Sequence, residues 1–179
     1  SRLHRSLKLN PLSANTHFLL GRLYEQQAIN IFDQSQRNTI ENAEKHYLLA
    51  LKHQPTWDYA WAKMAVFYNN TNPEKLIAPL SKAIKLGSFE TDTQQILIPI
   101  IFQHWKEISL NTGIRARTIM LLQHSLNFNV NFLSTLDSAK KYNKLDIIEP
   151  LITKQWHKNR FKKYKYELSL LGKGNLNDE

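Results

Sequence analysis

Seven histidines are the residues of this sequence best suited to chemistry, as metal ligands or as proton carriers near neutral pH. They stand at 4, 17, 46, 53, 104, 124 and 157, and no two have the i, i+4 spacing of an H-E-x-x-H zinc helix. His46 and His53, seven apart, can share a helix face, but no acid stands one turn from either on that face. No metal-ligand set is therefore expected. The absence of Cys removes thiolate zinc sites, disulfide frameworks and cysteine nucleophiles together. There is no Gly-rich phosphate loop and no G-x-S-x-G elbow, and the Ser, His and Asp residues form no local arrangement that would activate a nucleophile. Acids are sparse, 15 against 24 Lys and Arg, and stand mostly beside Lys or at helix starts, where capping and solvation are their ordinary roles. A carboxylate pair for glycoside hydrolysis would have to assemble from distant positions, since such groups need only lie about 5–9.5 Å apart in space. The expectation is a non-enzyme with no catalytic, cofactor-binding or metal residues.

Binding chemistry is better represented. Trp57, Tyr59 and Trp61 form an aromatic cluster, and Lys154–Tyr166 (KQWHKNRFKKYKY) interleaves six Lys and Arg with four aromatic rings. On a helix, Lys154, Lys158, Lys162 and Lys165 would form one stripe with Phe161, Tyr164 and Leu168 beside it. Together with Arg160 and Lys163, this stripe is a candidate contact for an anionic surface: lipid head groups, acidic polysaccharide or nucleic acid. The ordinary alternative is a solvated tail whose aromatic rings fold back on the last helices. The net charge of +9 lies mainly at the ends, with +3 in residues 1–12 and +4 in residues 151–179, leaving +2 for the body. That distribution argues against a continuous polyanion groove.

These side chains need a scaffold, and the chain of 179 residues with 42% hydrophobic residues has the length and apolar content of one domain. Five Gly and six Pro are too few to punctuate an all-β chain with a turn about every 8–12 residues. The longest apolar run, Ile96–Phe102, is far short of the roughly 20 residues that span a bilayer. Internal similarity points to helix pairs. Ser6–Tyr24 aligns with Ala50–Tyr68 at an offset of 44, with Leu7/Leu51, Lys8/Lys52, Pro11/Pro55 and Tyr24/Tyr68 coinciding.

Each copy ends one helix, breaks at a proline and starts another, and the internal spacing resembles that of a tetratricopeptide (TPR) repeat. Trp61, Met64, Ala65 and Tyr68 occupy the first half of that signature. His17, Leu20, Gly21 and Tyr24 stand at the same spacings one copy earlier, while Ala43, Tyr47 and Pro55 supply the second half. Against the usual period of about 34, the extra residues are placed between Gln26 and Thr39, in a longer first helix plus the polar stretch Asp33–Thr39. The expected fold is all-α: a TPR-like right-handed stack of antiparallel helix pairs (an α-α superhelix) of about 8–10 helices. One such domain would cover residues 1–157, its first helix truncated at the chain start, followed by a basic, partly disordered tail over 158–179. By spacing, Asn15, Phe18, Arg22, Tyr59, Ala62 and Val66 should line its concave groove, as contacts for a protein or glycan partner. The set lacks the Lys/Asn pattern of a carboxylate clamp, so that ligand is not expected.

Beyond Tyr68 the signature decays while helix signals persist. Asn72 and Pro73 read as N-cap and first helical residue, followed by an apolar face of Leu76, Leu80, Ala83 and Ile84, a kink at Pro79 and a stop at Gly87. Thr91-x-x-Gln94 reads as a capping box opening a core-central helix to about Ile108, with Pro99 inside it. Further helices are expected at about 112–127, 129–142 and 145–157, and disorder over Gly172–Glu179.

The words NPLSANTHFLLGRLY (Asn10–Tyr24), QPTWDYAWA (Gln54–Ala62), LGSFE (Leu86–Glu90) and HW (His104-Trp105) resemble, in that order, the VpsP-type polysaccharide-biosynthesis proteins of bacterial exopolysaccharide clusters. Trp57 and Tyr59 set these words apart from those of a general TPR, Phe89 stands where Trp would be expected, and the resemblance spans about residues 6–150. It implies a small helical-repeat accessory protein without catalytic residues, on the periplasmic side of the bacterial inner membrane, behind an N-terminal anchor preceding Ser1. The implied partners are other proteins of a polysaccharide assembly or export system, with the anionic membrane surface as a second contact for the tail. Two other readings compete: RNA binding through the basic aromatic tail, and a polysaccharide-modifying enzyme.

Overall fold

The structure is a computed structural model that describes residues 2–29 and 35–174. The chain is all-α, 87% helical, with eleven α-helices and no strand among the described residues. It forms two compact units, Ser1–Ser88 and Phe89–Glu179, and the 158–179 tail expected from sequence begins inside a helix of the second.

Unit 1 holds α1 (Arg2–Leu9), α2 (Ala14–Ile29), α3 (Ser35–His53), α4 (Asp58–Thr71) and α5 (Ile77–Gly87). The 44-residue offset is present as geometry. In the turn before α2, Ser13 N–H donates to Asn10 O at 3.2 Å, and in the turn before α4, Trp57 N–H donates to Gln54 O at 3.2 Å. Six residues past each proline a ring nitrogen returns to its carbonyl: His17 Nε2 to Pro11 O at 3.0 Å, and Trp61 Nε1 to Pro55 O at 2.8 Å. His17 thus does in the first copy what the signature Trp does in the second. The Ser13 hydroxyl also accepts from Thr16 N–H at 3.2 Å, an N-cap for α2. The second copy has no side-chain cap at Trp57.

Helices α2 and α3 run antiparallel and approach closely at Gly21, where an added Cβ would meet the Tyr47 ring at 3.0–3.2 Å. Around this contact Phe18, Tyr47, Ala50, Met64 and Phe67 form the core, each large side chain contributing about 1.5–3 kcal/mol on burial. Of the expected extra residues, Gln26–Ile29 extend α2 and Ser35–Thr39 form the start of α3, where Gln36 Nε2 donates to Ala28 O at 3.0 Å. The rest, including Asp33, lie outside the described residues.

Local signals fare unevenly. Asn72 makes no side-chain cap, and Pro73 opens a short 3-10 turn, Pro73–Lys75, rather than α5 itself. Because α5 starts at Ile77, Pro79 sits in its first turn, where a missing N–H costs no intrahelical bond, and the expected kink has no cause.

Unit 2 comprises α6 (Thr91–Gln103), α7 (Trp105–Leu110), α8 (Thr112–Asn127), α9 (Asn129–Lys141), α10 (Leu145–Ile148) and α11 (Gln155–Gly174). The expected helix to Ile108 is interrupted at His104 (φ −106°, ψ 26°), not at Pro99. The capping box at Thr91 does not form, because the Gln94 side chain turns inward: its Oε1 accepts from Asn131 Nδ2 at 2.8 Å and its Nε2 lies 2.8 Å from His124 Nδ1. Helix α9 ends in a Schellman motif, with Asn143 left-handed (φ 54°), Lys144 N–H on Ala139 O at 2.7 Å and Asn143 N–H on Lys140 O at 3.0 Å. The helix expected over 145–157 breaks into α10 and a 3-10 turn at Glu149–Leu151. Pro150 supplies no N–H and disfavours helix at the residue before it. The core here is built from Leu97, Ile101, Leu121, Phe132 and Leu136, with α6 buried on several sides as its apolar run requires.

Candidate functional site

The repeat signature residues are structural. Leu20, Gly21, Ala43, Tyr47, Ala65 and Tyr68 are buried in unit 1, while Tyr24 and Trp61 are half-buried and Pro55 is exposed at its turn. The expected groove set divides. Asn15 and Arg22 are exposed, Tyr59 and Val66 are half-buried, and Phe18 and Ala62 are buried in the core. Phe18 is withdrawn because it fills the space between Trp57 (4.8 Å between ring centroids) and Tyr59 (6.0 Å), packing that helical spacing alone does not reveal. Lys63 Nζ lies 5.5 Å from the Tyr59 ring, so a cation already stands beside that tyrosine.

Two tyrosine–carboxylate pairs brace the same unit. Tyr47 donates to Glu25, and Tyr68 donates to Glu44 at 2.7 Å. Burial raises both phenol pKa values and the acceptor carboxylates raise them further, so both rings stay protonated. Burial alone would raise the Glu44 pKa, but hydrogen bonds from Lys75 (2.6 Å) and Tyr68 hold it below the usual carboxylate range. A general acid for glycoside hydrolysis needs a shift in the opposite direction. Glu41, which faces the same cleft as Glu44, is paired with Arg37 at 3.3 Å.

A histidine cluster is the feature that sequence spacing missed. His17 Nδ1 lies 3.0 Å from His46 Nδ1, a pair 29 residues apart. His17 Nε2 donates to Pro11 O, which leaves its Nδ1 as an acceptor and makes His46 Nδ1 the donor. His53 stacks on His17 (5.7 Å, 23°), Tyr24 stacks on His46 (5.6 Å, 11°), and the Tyr24 hydroxyl lies 3.4 Å from His4 Nε2. Burial, with smaller contributions from His17, Lys45 and His4, lowers the His46 pKa to about 4, so that ring is neutral at pH 7. No group of three or more His, Asp or Glu side chains among the described residues could hold a metal ion. The pair joins α2 to α3 through one hydrogen bond and forms a clasp between them. The one sequence signal for it was a histidine standing at the repeat's Trp position.

In unit 2 the basic stripe is helical from Lys158 onward, Lys154 standing in the bend just before α11, and its aromatic neighbours are the correction. Phe161 and His157 are buried, and Tyr164 donates to Asp137 at 2.7 Å, so these rings fold back and hold α11 instead of lying open beside the lysines. Burial of Tyr164, reinforced by Asp137, raises its pKa. The start of α11 is tied at Asn127, whose Oδ1 accepts from Thr153 N–H (3.2 Å), Thr153 Oγ1 (2.9 Å) and Lys154 N–H (3.3 Å). Lys154 Nζ donates to Asn127 O at 3.0 Å, Arg160 lies over Trp156 (4.6 Å) and Phe132 (4.9 Å), Lys163 pairs with Glu167 (3.7 Å) and Lys165 with Glu149 (3.0 Å). Lys158 and Lys162 remain exposed. No helix among the described residues is long and apolar enough to cross a membrane.

Comparison with known proteins leaves the geometry to stand alone: no protein-family model, no curated protein and no solved structure matches this chain.

Proposed function

We propose that this chain is a non-enzymatic helical-repeat adaptor whose first unit is a TPR-like pair of repeats. It would act through protein contacts in bacterial exopolysaccharide biosynthesis or export, on the periplasmic side of the inner membrane. The observation that carries the repeat reading is the duplicated turn, in which a ring nitrogen at the same repeat position returns to the carbonyl of the turn proline in each copy. The process rests on the resemblance of Asn10–Tyr24 and Gln54–Ala62 to VpsP-type proteins. Asn15, Arg22 and the open edge of Tyr59 are the side chains such a partner would meet. Glu44, beside Glu41 in the same cleft, is committed to Tyr68 and Lys75, which speaks against that one carboxylate as a general acid.

The test is genetic complementation. A strain lacking the gene should lose exopolysaccharide, recover it with the wild-type chain or with Glu44→Gln, and fail to recover it with a folded Arg22→Glu/Tyr59→Ala variant. Normal polymer in the deletion strain would remove the process, and failure of Glu44→Gln with intact folding would return the enzyme reading. RNA binding is the second reading, favoured by the exposed lysines of α11, and predicts affinity that falls steeply between about 50 and 200 mM salt.

A further inference from the structure

Helix α11 is held against unit 2 by one face, so the opposite face is displayed as a set. His157 and Phe161 are buried and Tyr164 is bonded to Asp137, which leaves Lys158, Lys162, Tyr166 and Leu170, spaced four apart, as one outward stripe. Tyr166 is 64% exposed and Leu170 50%, and Trp156, 54% exposed, stands at the far edge of the outward face, across it from Lys158.

The cations on this helix are not equivalent. Arg160, Lys163 and Lys165 are engaged by rings or acids of the same unit. Among the described residues no acid lies within ion-pair distance of Lys158 or Lys162. A cleft of about 270 Å³ opens between them, with Glu149 at its edge, and that carboxylate makes it a poor seat for a free anion. What remains is a face rather than a pocket, carrying two uncompensated ammonium groups together with an indole, a phenol and an aliphatic side chain.

That mixture matches the boundary between phosphate head groups and acyl chains, where indole and phenol rings settle and lysines meet the negative surface. It suits a nucleic acid less well. Leu170 offers no ring to stack on, and one face of the Trp156 indole is already covered by Arg160. We propose that the outward face of α11, centred on Lys158, Lys162, Tyr166 and Leu170 with Trp156 at its edge, docks on an anionic lipid surface. This extends the membrane-side part of the proposed function but rests on unit 2 alone, so its outcome is separate from whatever unit 1 binds.

The test is sedimentation of the full chain with vesicles of phosphatidylcholine alone or with about 30 mol% phosphatidylglycerol. Binding is expected only with the anionic vesicles, weakening as salt rises from about 50 to about 200 mM, and undisturbed by millimolar glycerol phosphate. Lys158→Ala/Lys162→Ala should weaken it about 30-fold, at about fivefold per lysine, whereas Lys82→Ala/Lys85→Ala, the same charge removed from α5, should change it by less than about twofold. Tryptophan emission should shift to the blue on anionic vesicles, and the shift should be lost in Trp156→Phe. Equal binding to neutral vesicles, equal losses from the two double variants, or preference for single-stranded RNA over the vesicles would overturn the proposal.

Discussion

Replacing Gly21 with alanine tests whether the α2–α3 contact is as close as its geometry implies. The new Cβ would stand 3.0 Å from Tyr47 Cδ1, 3.1 Å from Cγ and 3.2 Å from Cε1, inside ordinary contact distance. The ring is buried and its hydroxyl is bonded to Glu25, so it cannot withdraw without giving up that hydrogen bond. Overpacking of this kind costs about 1–3 kcal/mol, and the better helix propensity of alanine returns up to about 1 kcal/mol. The net expectation is a loss of about 1–2 kcal/mol, or about 5–15 °C in the melting temperature of a unit this size. Gly113→Ala is the internal comparison. There the only close atom is Asn111 Oδ1 at 3.3 Å, in the exposed first turn of α8, and the change should stay within about 0.5 kcal/mol of neutral. Urea and thermal unfolding followed by far-ultraviolet circular dichroism measure both. A Gly21→Ala chain as stable as the wild type, or more stable, would refute the argument that the methyl group has nowhere to go.

Three further outcomes follow from named contacts. The pKa of His46 lies below its unfolded value, so the clasp's contribution is complete above about pH 6.5 and is lost as pH falls through about 4. The pKa gap would amount to about 3 kcal/mol for a sealed ring and about 1 kcal/mol after solvent screening of one this exposed, so His46→Leu should flatten the pH dependence of urea stability across that window. Parallel curves for variant and wild type would count against the clasp. His17→Phe should cost about 2 kcal/mol because it removes two hydrogen bonds, those to Pro11 O and His46 Nδ1, whereas Trp61→Phe, which removes only the one to Pro55 O, should cost about 1 kcal/mol in the same unfolding assay. Asn127→Ala removes the acceptor at the start of α11 and should cost about 2–3 kcal/mol, with hydrogen exchange speeding up across residues 155–170 before the rest of unit 2.

Where sequence reasoning succeeded, the interactions were local or periodic. The turn prolines, the 44-residue offset, the helix class and the α8 boundaries all depend on residues a few positions apart or on repeated spacing, which survive in one dimension. The capping box at Thr91 failed for a related reason. A cap needs only a short polar side chain nearby, and tertiary partners outbid the helix end, as Asn131 and His124 do for Gln94. The helix expected over 145–157 fails for a local reason, because Pro150 has no N–H to donate and the chain turns through a 3-10 segment there.

The candidate surfaces divide in the same way. That the C-terminal stretch is basic and aromatic is a property of composition, available from the letters alone. Which of its rings fold inward and which lysines remain uncompensated depends on Asp137, Glu149 and Asn127, from 16 to 27 residues away along the chain. The His17–His46 clasp, 29 residues apart, is the same kind of fact. Each side chain's type was written in sequence, but its partner was chosen only when the helices packed, because hydrogen bonds and ring contacts act over a few ångströms of space whatever the separation along the chain.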